Sequence, residues 1–163
     1  MGEKKLGGAG LRGQVAGNTA LSTVGKTGKG LTYRGYAIEE LAEKATFEEV
    51  AYMLLYGSLP TQSEYDAYST KLKSFRSLPE ALKEVLERIP QTAHPMDVMR
   101  TGCSMLGNLE PEGDFSNQND TADRILASMS SIITYWYRYS HEGVKVDTAT
   151  DHETIGGHFL SLL

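Results

Sequence analysis

Between Asp120 and Ser140 the side chains Ile125, Met129, Ile132, Ile133, Trp136 and Tyr139 recur at the spacing of one helical face. A helix of this length draws most of its stability from the partners that cover its apolar stripe. The rest of the chain must therefore supply a layer around it. Asp120 or Thr121 can cap its start, and His141-Glu142-Gly143 provides the stop. The only tryptophan lies here, within the run Tyr135-Trp136-Tyr137-Arg138-Tyr139.

Elements predicted on either side are mostly helical. Residues 1–18 are Gly-rich and aperiodic and read as a flexible tail, leaving 19–163 as the folded portion. The β-prone runs Thr19–Val24 and Leu31–Arg34 flank a Gly-rich connection, which predicts a small hairpin. Gly35 ends the second run, and a helix is expected from Tyr36 or Ala37, with Ile38, Leu41 and Ala42 on one face. Thr46-Phe47-Glu48-Glu49 is a capping box ahead of Val50, Met53 and Leu54, with Gly57 as the stop. Thr61 and Glu64 repeat the device before Tyr65, Tyr68, Leu72 and Phe75. Ser77 and Glu80 repeat it before Leu82, Val85, Leu86 and Ile89. His94-Pro95-Met96-Asp97 opens a helix with Val98, Met99, Gly102, Met105 and Leu106 inward. Gly107–Asn119 is expected to be an acidic loop, and a last helix to begin near Asp151. The fold class is all-α with one N-terminal hairpin. The uncapped apolar ending Phe159-Leu160-Ser161-Leu162-Leu163 reads as truncation, or else as a docked C-terminal helix.

Charge narrows the functional classes. Residues 1–80 carry 10 basic and 9 acidic side chains, and residues 81–163 carry 6 and 12. An acidic second half argues against a nucleic-acid groove. No apolar run approaches the roughly 20 residues needed to cross a bilayer, so no membrane role is expected. A single cysteine, Cys103, and no apolar leader fit a cytoplasmic protein.

Each candidate for chemistry has a simpler structural reading. Gly25-Lys26-Thr27 resembles the end of a phosphate-binding loop, but Ala20 stands where that motif needs Gly, so a hairpin turn is expected. His152 and His158 point to different helical faces, and no spacing completes a metal site. His94 and His141 suit helix caps, and Cys103 a small buried thiol. Arg100 pairs with Asp97 one turn earlier, or else aims its charge at an interface. Gly156-Gly157 predicts close approach by another backbone, since each Gly costs about 1 kcal/mol against Ala inside a helix. No catalytic set assembles from these residues.

Several segments resemble, in order, the N-terminal part of the citrate synthase family. They are Ala16–Gly25, Tyr33-Arg34-Gly35-Tyr36, Phe47–Ala51, Gly57-Ser58-Leu59-Pro60-Thr61 and His94–Thr101. Tyr135-Trp136-Tyr137 with Tyr139-Ser140-His141, and Ile155-Gly156-Gly157-His158-Phe159-Leu160, look more like the 2-methylcitrate synthase branch. The resemblance implies the helical large domain of that fold and a Claisen condensation of an acyl-CoA with oxaloacetate. The acyl group would be propionyl in the 2-methylcitrate branch, serving propionate breakdown, or acetyl in plain citrate synthases. The CoA thioester is then a substrate, with no separate cofactor and no metal implied.

Family chains are more than twice this length, and their catalytic His, His and Asp, like the CoA-binding segment, fall in the part not present here. None of His94, His141, His152 or His158 matches a catalytic position, so the chain alone is expected to be inactive. Gln62 follows Leu59-Pro60-Thr61 where related enzymes often carry a basic residue, which makes it the one substrate-binding candidate. The resemblance also implies a homodimer, with Met96–Leu106 and the Asp120–Ser140 helix contributing. The rival expectation is a stand-alone helical interaction module.

Overall fold

The computed structural model describes residues 15, 17–25 and 30–163. The tail predicted over 1–18 therefore lies mostly outside the described residues, as do Lys26 and Thr27 of the Gly-Lys-Thr turn. Among the described residues three two-residue strands precede seven helices: β1 (Ser22–Thr23), β2 (Thr32–Tyr33), β3 (Tyr36–Ala37), α1 (Ile38–Lys44), α2 (Phe47–Tyr56), α3 (Gln62–Ser74), α4 (Glu80–Glu87), α5 (Pro95–Leu109), α6 (Gln118–Glu142) and α7 (Ile155–Leu162). The expected mostly helical class and the β1–β2 hairpin are both present. No helix of the described residues is long and apolar enough to cross a membrane.

The sheet has one strand more than expected. β2 and β3 pair antiparallel, Thr32 opposite Ala37 and Tyr33 opposite Tyr36, around the two-residue turn Arg34-Gly35. Both turn residues have positive φ, 50° and 93°, as a tight hairpin turn matched to strand twist requires. Gly35 thus reverses the chain where a helix start was expected. The left-handed conformation of Arg34 is offset by its guanidinium, whose Nη2 donates to Leu54 O at the end of α2 (2.8 Å).

Helix boundaries set by adjacent residues came out as expected. Both capping boxes form: Thr46 accepts from Glu49 N and Thr61 from Glu64 N, while each glutamate accepts from its cap residue's backbone N–H. Gly57 and Gly143 close α2 and α6 in the left-handed conformation, and His94 caps α5 by accepting from Met96 N. Other boundaries moved. Pro79 stands at the cap of α4 with no side-chain bond, so Ser77 and Glu80 form no capping box. The Gly107–Asn119 loop shrinks, because α5 runs to Leu109 and a 3-10 turn, Phe115–Asn117, leads directly into α6. α7 begins at Ile155 behind a Thr154 cap, four residues later than Asp151.

α6 is the central helix, contacting α3, α4, α5 and α7. Its buried side only partly matches the apolar stripe. Ile132, Tyr135 and Trp136 are buried with Leu82, Leu86, Val98 and Leu106 where α4, α5 and α6 meet. Tyr135 Oη donates to Glu87 Oε1 (2.7 Å) and Trp136 Nε1 to Ile89 O (3.3 Å), so both aromatic polar tips are satisfied inside. Ile125, Met129 and Ile133, by contrast, are only half-buried. Asp123, Ala127, Ser128, Ser130, Ser131 and Thr134 are the buried residues on the remaining arc. Small side chains let neighbouring helices approach; the Ser128 and Thr134 hydroxyls bond back to α6 carbonyls at Arg124 and Ser130, while Ser131 Oγ bonds across to Arg76 O.

Gly102 on α5 shows how close that approach is. A Cβ placed there would lie 2.6 Å from Ile132 Cγ2. Gly102→Ala is expected to lose about 1–3 kcal/mol through overpacking, less the roughly 1 kcal/mol that Ala gains in a helix. Gly107→Ala in the same helix meets nothing within 4 Å and should gain up to about 1 kcal/mol. Urea unfolding of the two variants should shift the midpoint in opposite directions.

Candidate functional site

Gln62, the substrate-binding candidate, occupies the first position of α3. It is exposed, and its Nε2 donates to Asp66 Oδ1 one turn later (2.8 Å). The histidines disperse. His94 and His141 sit at helix ends, His141 Nδ1 lying 3.1 Å from Tyr137 O, and His152 belongs to the segment between α6 and α7. Only His158 is fully buried. Cys103 is half-buried, its thiol 3.8 Å from Met129 Sδ and pushed up by burial. Arg100 makes the exposed pair with Asp97 (3.0 Å). At Gly157 the close neighbours are the side chains of Thr154 and His152, and Gly156 has none within 4 Å. The second backbone expected against this Gly pair is therefore not there. No group of three or more His, Cys, Asp or Glu among the described residues could hold a metal ion.

Instead, the structure gathers polar side chains into two buried centres. In the first, Asp123 of α6 is completely buried. Its carboxylate accepts from Tyr56 Oη at the end of α2, from Tyr68 Oη on α3 (3.1 Å) and from Lys71 Nζ on α3 (2.6 Å). Lys71 also reaches Asp120 Oδ1 (2.5 Å). Burial, then the bond to Asp123, pushes the Tyr56 hydroxyl up to about 12, and the same causes raise Tyr68 further. Burial alone would draw the Lys71 ammonium down, but its bonds to Asp120 and Asp123 outweigh it and hold the group above its ordinary value. All three donors therefore keep their protons at neutral pH.

The second centre joins α2, the α3–α4 junction, α6, the segment before α7, and α7. Arg76, 1% exposed, donates from Nη1 to Thr150 O (3.1 Å) and His152 O (2.6 Å). Glu48, 2% exposed, accepts the backbone N–H of Ile155 on Oε1 (2.7 Å), a carboxylate seated at the start of α7. Ser131 Oγ donates to Arg76 O (2.7 Å) and lies 2.9 Å from His158 Nε2. Thr148 Oγ1 accepts from Leu78 N (3.1 Å). Of these residues the sequence singles out only His152 and His158, both as histidines without a metal role. Of the others, Ser131 alone had a signal, the run of small and hydroxylated residues at 127, 128, 130, 131 and 134 on one periodic arc of α6.

A large concave surface among the described residues is apolar. Phe47, Val50 and Leu54 of α2, Ile125, Leu126 and Met129 of α6, and Tyr33 of β2 line an open groove of about 720 Å³. It offers area rather than catalytic groups, and Gln62 is not among its lining residues. The described residues thus form a packing framework with no nucleophile, base and oxyanion site converging on one point.

A family model described as citrate synthase, C-terminal domain, matches residues 10–163. A protein named 2-methylcitrate synthase from Shewanella oneidensis is 70% identical over 160 residues, which are 98% of this chain and 43% of that protein. The crystal structure of citrate synthase from Thermotoga maritima superposes with a TM-score of 0.80 at 30% identity, covering 94% of this chain and 40% of that one. A citrate synthase from Thermoplasma acidophilum, solved as a ternary complex with carboxymethyl coenzyme A and oxaloacetate, shares the fold at a TM-score of 0.82 and 21% identity. That likeness covers 93% of this chain and 40% of the other. The chain thus spans less than half the length of these relatives. With the helical framework, the small antiparallel sheet and the matched residues in agreement, this chain belongs to the citrate synthase family.

Proposed function

We propose that this chain is the N-terminal portion of a 2-methylcitrate synthase, which in full condenses propionyl-CoA with oxaloacetate to give 2-methylcitrate and free CoA. The observation that carries the reading is the 70% identity to the Shewanella oneidensis protein of that name across 98% of this chain. In the reaction a carboxylate removes the acyl α-proton, one histidine stabilises the enol, and a second protonates the oxaloacetate carbonyl as the carbon–carbon bond forms. Thioester hydrolysis then releases CoA, and no separate cofactor is needed. These groups belong to the remainder of the full-length protein. The part described here supplies the framework, and Gln62 is its one substrate-contact candidate.

The α2–α6 groove supports this division. Phe47, Leu54, Ile125 and Met129 line an apolar face that is open to water, and covering such area gains about 25 cal/mol per Å². In the full-length protein the remaining polypeptide covers it. A homodimer using α5 and α6, and a cytoplasmic location, complete the proposal.

The test uses the complete gene product. Thiol release with oxaloacetate should be faster with propionyl-CoA than with acetyl-CoA, and the 163-residue chain alone should release none. The reverse ranking would favour a citrate synthase, the name carried by the Thermotoga maritima protein. No release from either thioester would reject the enzyme reading.

A further inference from the structure

We infer that His158 is an acid-released latch that holds α7, and the segment 148–154 before it, onto α6. The inference is independent of which acyl-CoA the full-length protein uses. Hydrogen-bond accounting gives the ring a single neutral tautomer. Ser131 Oγ has one hydrogen and donates it to Arg76 O (2.7 Å). Toward His158 Nε2, 2.9 Å away, it can only accept, so Nε2 carries the proton. The other nitrogen, Nδ1, is then bare and accepts from Thr150 Oγ1 at 2.8 Å. A neutral imidazole thus ties the middle of α6 to the segment before α7 and to α7 itself. The same segment is pinned by Arg76 at Thr150 O and His152 O, and the first turn of α7 by Glu48 at Ile155 N.

A second proton would fall on Nδ1, and Thr150 Oγ1 would then have to turn from donor to acceptor. The charged surroundings do not welcome it either. The α3–α4 junction brings the Arg76 guanidinium, and the segment before α7 brings His152, with Asp151 and Glu153 acting on Arg76. From α2 comes Glu48, already bonded to Ile155 N. Ser131, a hydroxyl, is the bonding partner from α6, and α7 has no other ionisable side chain. Burial first, then the charge of Arg76, push His158 from its ordinary 6.5 down to about 4.

The sign follows from the direction of that shift. A depressed histidine contributes its full stabilisation above the undocked value of 6.5 and loses it as pH falls toward the docked value of about 4. Within that window each pH unit weakens docking about tenfold, for a total of roughly 300-fold.

The experiment follows the complete protein from pH 7 to pH 4. Nitrogen NMR of the His158 ring should show the Nε2–H tautomer at pH 7, with titration well below 6. Hydrogen exchange, corrected for intrinsic rates, should show residues 148–162 opening about 100-fold more at pH 4.5 than at pH 7, while α4 and α5 change less. His158→Gln, which cannot titrate, should flatten that dependence. Thr150→Val removes the donor that stabilises the neutral ring and should move release to higher pH. An Nδ1–H tautomer, protection of α7 that tracks α5 throughout, or an unchanged profile in Thr150→Val would each overturn the latch. If His158→Gln does not fold, the wild-type titration and Thr150→Val decide the question alone.

Discussion

Asp123→Ala is expected to lower the unfolding free energy by about 3–5 kcal/mol, the range found when one partner of a buried ion pair is removed. Asp123 is fully buried, and its carboxylate is the shared acceptor for Tyr56, Tyr68 and Lys71. Truncation leaves two hydroxyls without an acceptor and a cavity where α2, α3 and α6 meet. Lys71 keeps Asp120, whose side chain is 63% exposed, and a longer bond to Tyr56 Oη (3.4 Å). Asp123→Asn keeps one carbonyl oxygen for Tyr68 and loses the charge, so it should fall between alanine and wild type. Tyr56→Phe removes the bond donated to Asp123 and the longer one accepted from Lys71 (3.4 Å), and should cost about 1 kcal/mol. Urea unfolding followed by circular dichroism ranks the three variants. An alanine variant within about 1 kcal/mol of wild type would mean that the carboxylate is dispensable to packing.

How much of this was legible beforehand depended on the range of the interactions concerned. A capping box involves residues three apart, so Thr46-Phe47-Glu48-Glu49 and Thr61-Gln62-Ser63-Glu64 declare themselves. The glycine stops at Gly57 and Gly143 and the Pro95 start are equally local. The third strand was hidden because Arg34, an ordinary residue, takes the left-handed conformation. What holds it there is Leu54 O, twenty residues away.

The face of α6 misled for a different reason. Periodicity finds where apolar side chains recur, but not which of them a neighbour covers. Ile125 and Met129 fit the stripe, yet they line the open groove beside α2. Gln62 was likewise placed correctly at the start of α3, while its meaning depends on a site that the described residues do not complete. Glu48 could not be anticipated. Beside Glu49 it reads as one of two first-turn acids, and its actual partner is Ile155 N, 107 residues further on.

Arg76→Met should be as damaging as Asp123→Ala, and for a related reason. The guanidinium is 1% exposed and satisfies two carbonyls, Thr150 O and His152 O, in a segment without regular secondary structure. Such carbonyls have no strand or helix partner to fall back on. Methionine fills much of the volume but donates nothing. It also removes the positive charge that acts with Glu48, whose Oε2 is buried without a hydrogen-bond partner. The expected loss is about 3–5 kcal/mol. Glu48→Gln in the Arg76→Met background should recover part of it, with a coupling of about 0.5–3 kcal/mol, because it removes the carboxylate left behind. Glu48→Gln alone should destabilise, since it weakens the hold on the first turn of α7. A double-mutant cycle read by urea unfolding separates the two contributions. Strict additivity would mean that Glu48 and Arg76 act on α7 separately, one on its first turn and the other on the segment before it.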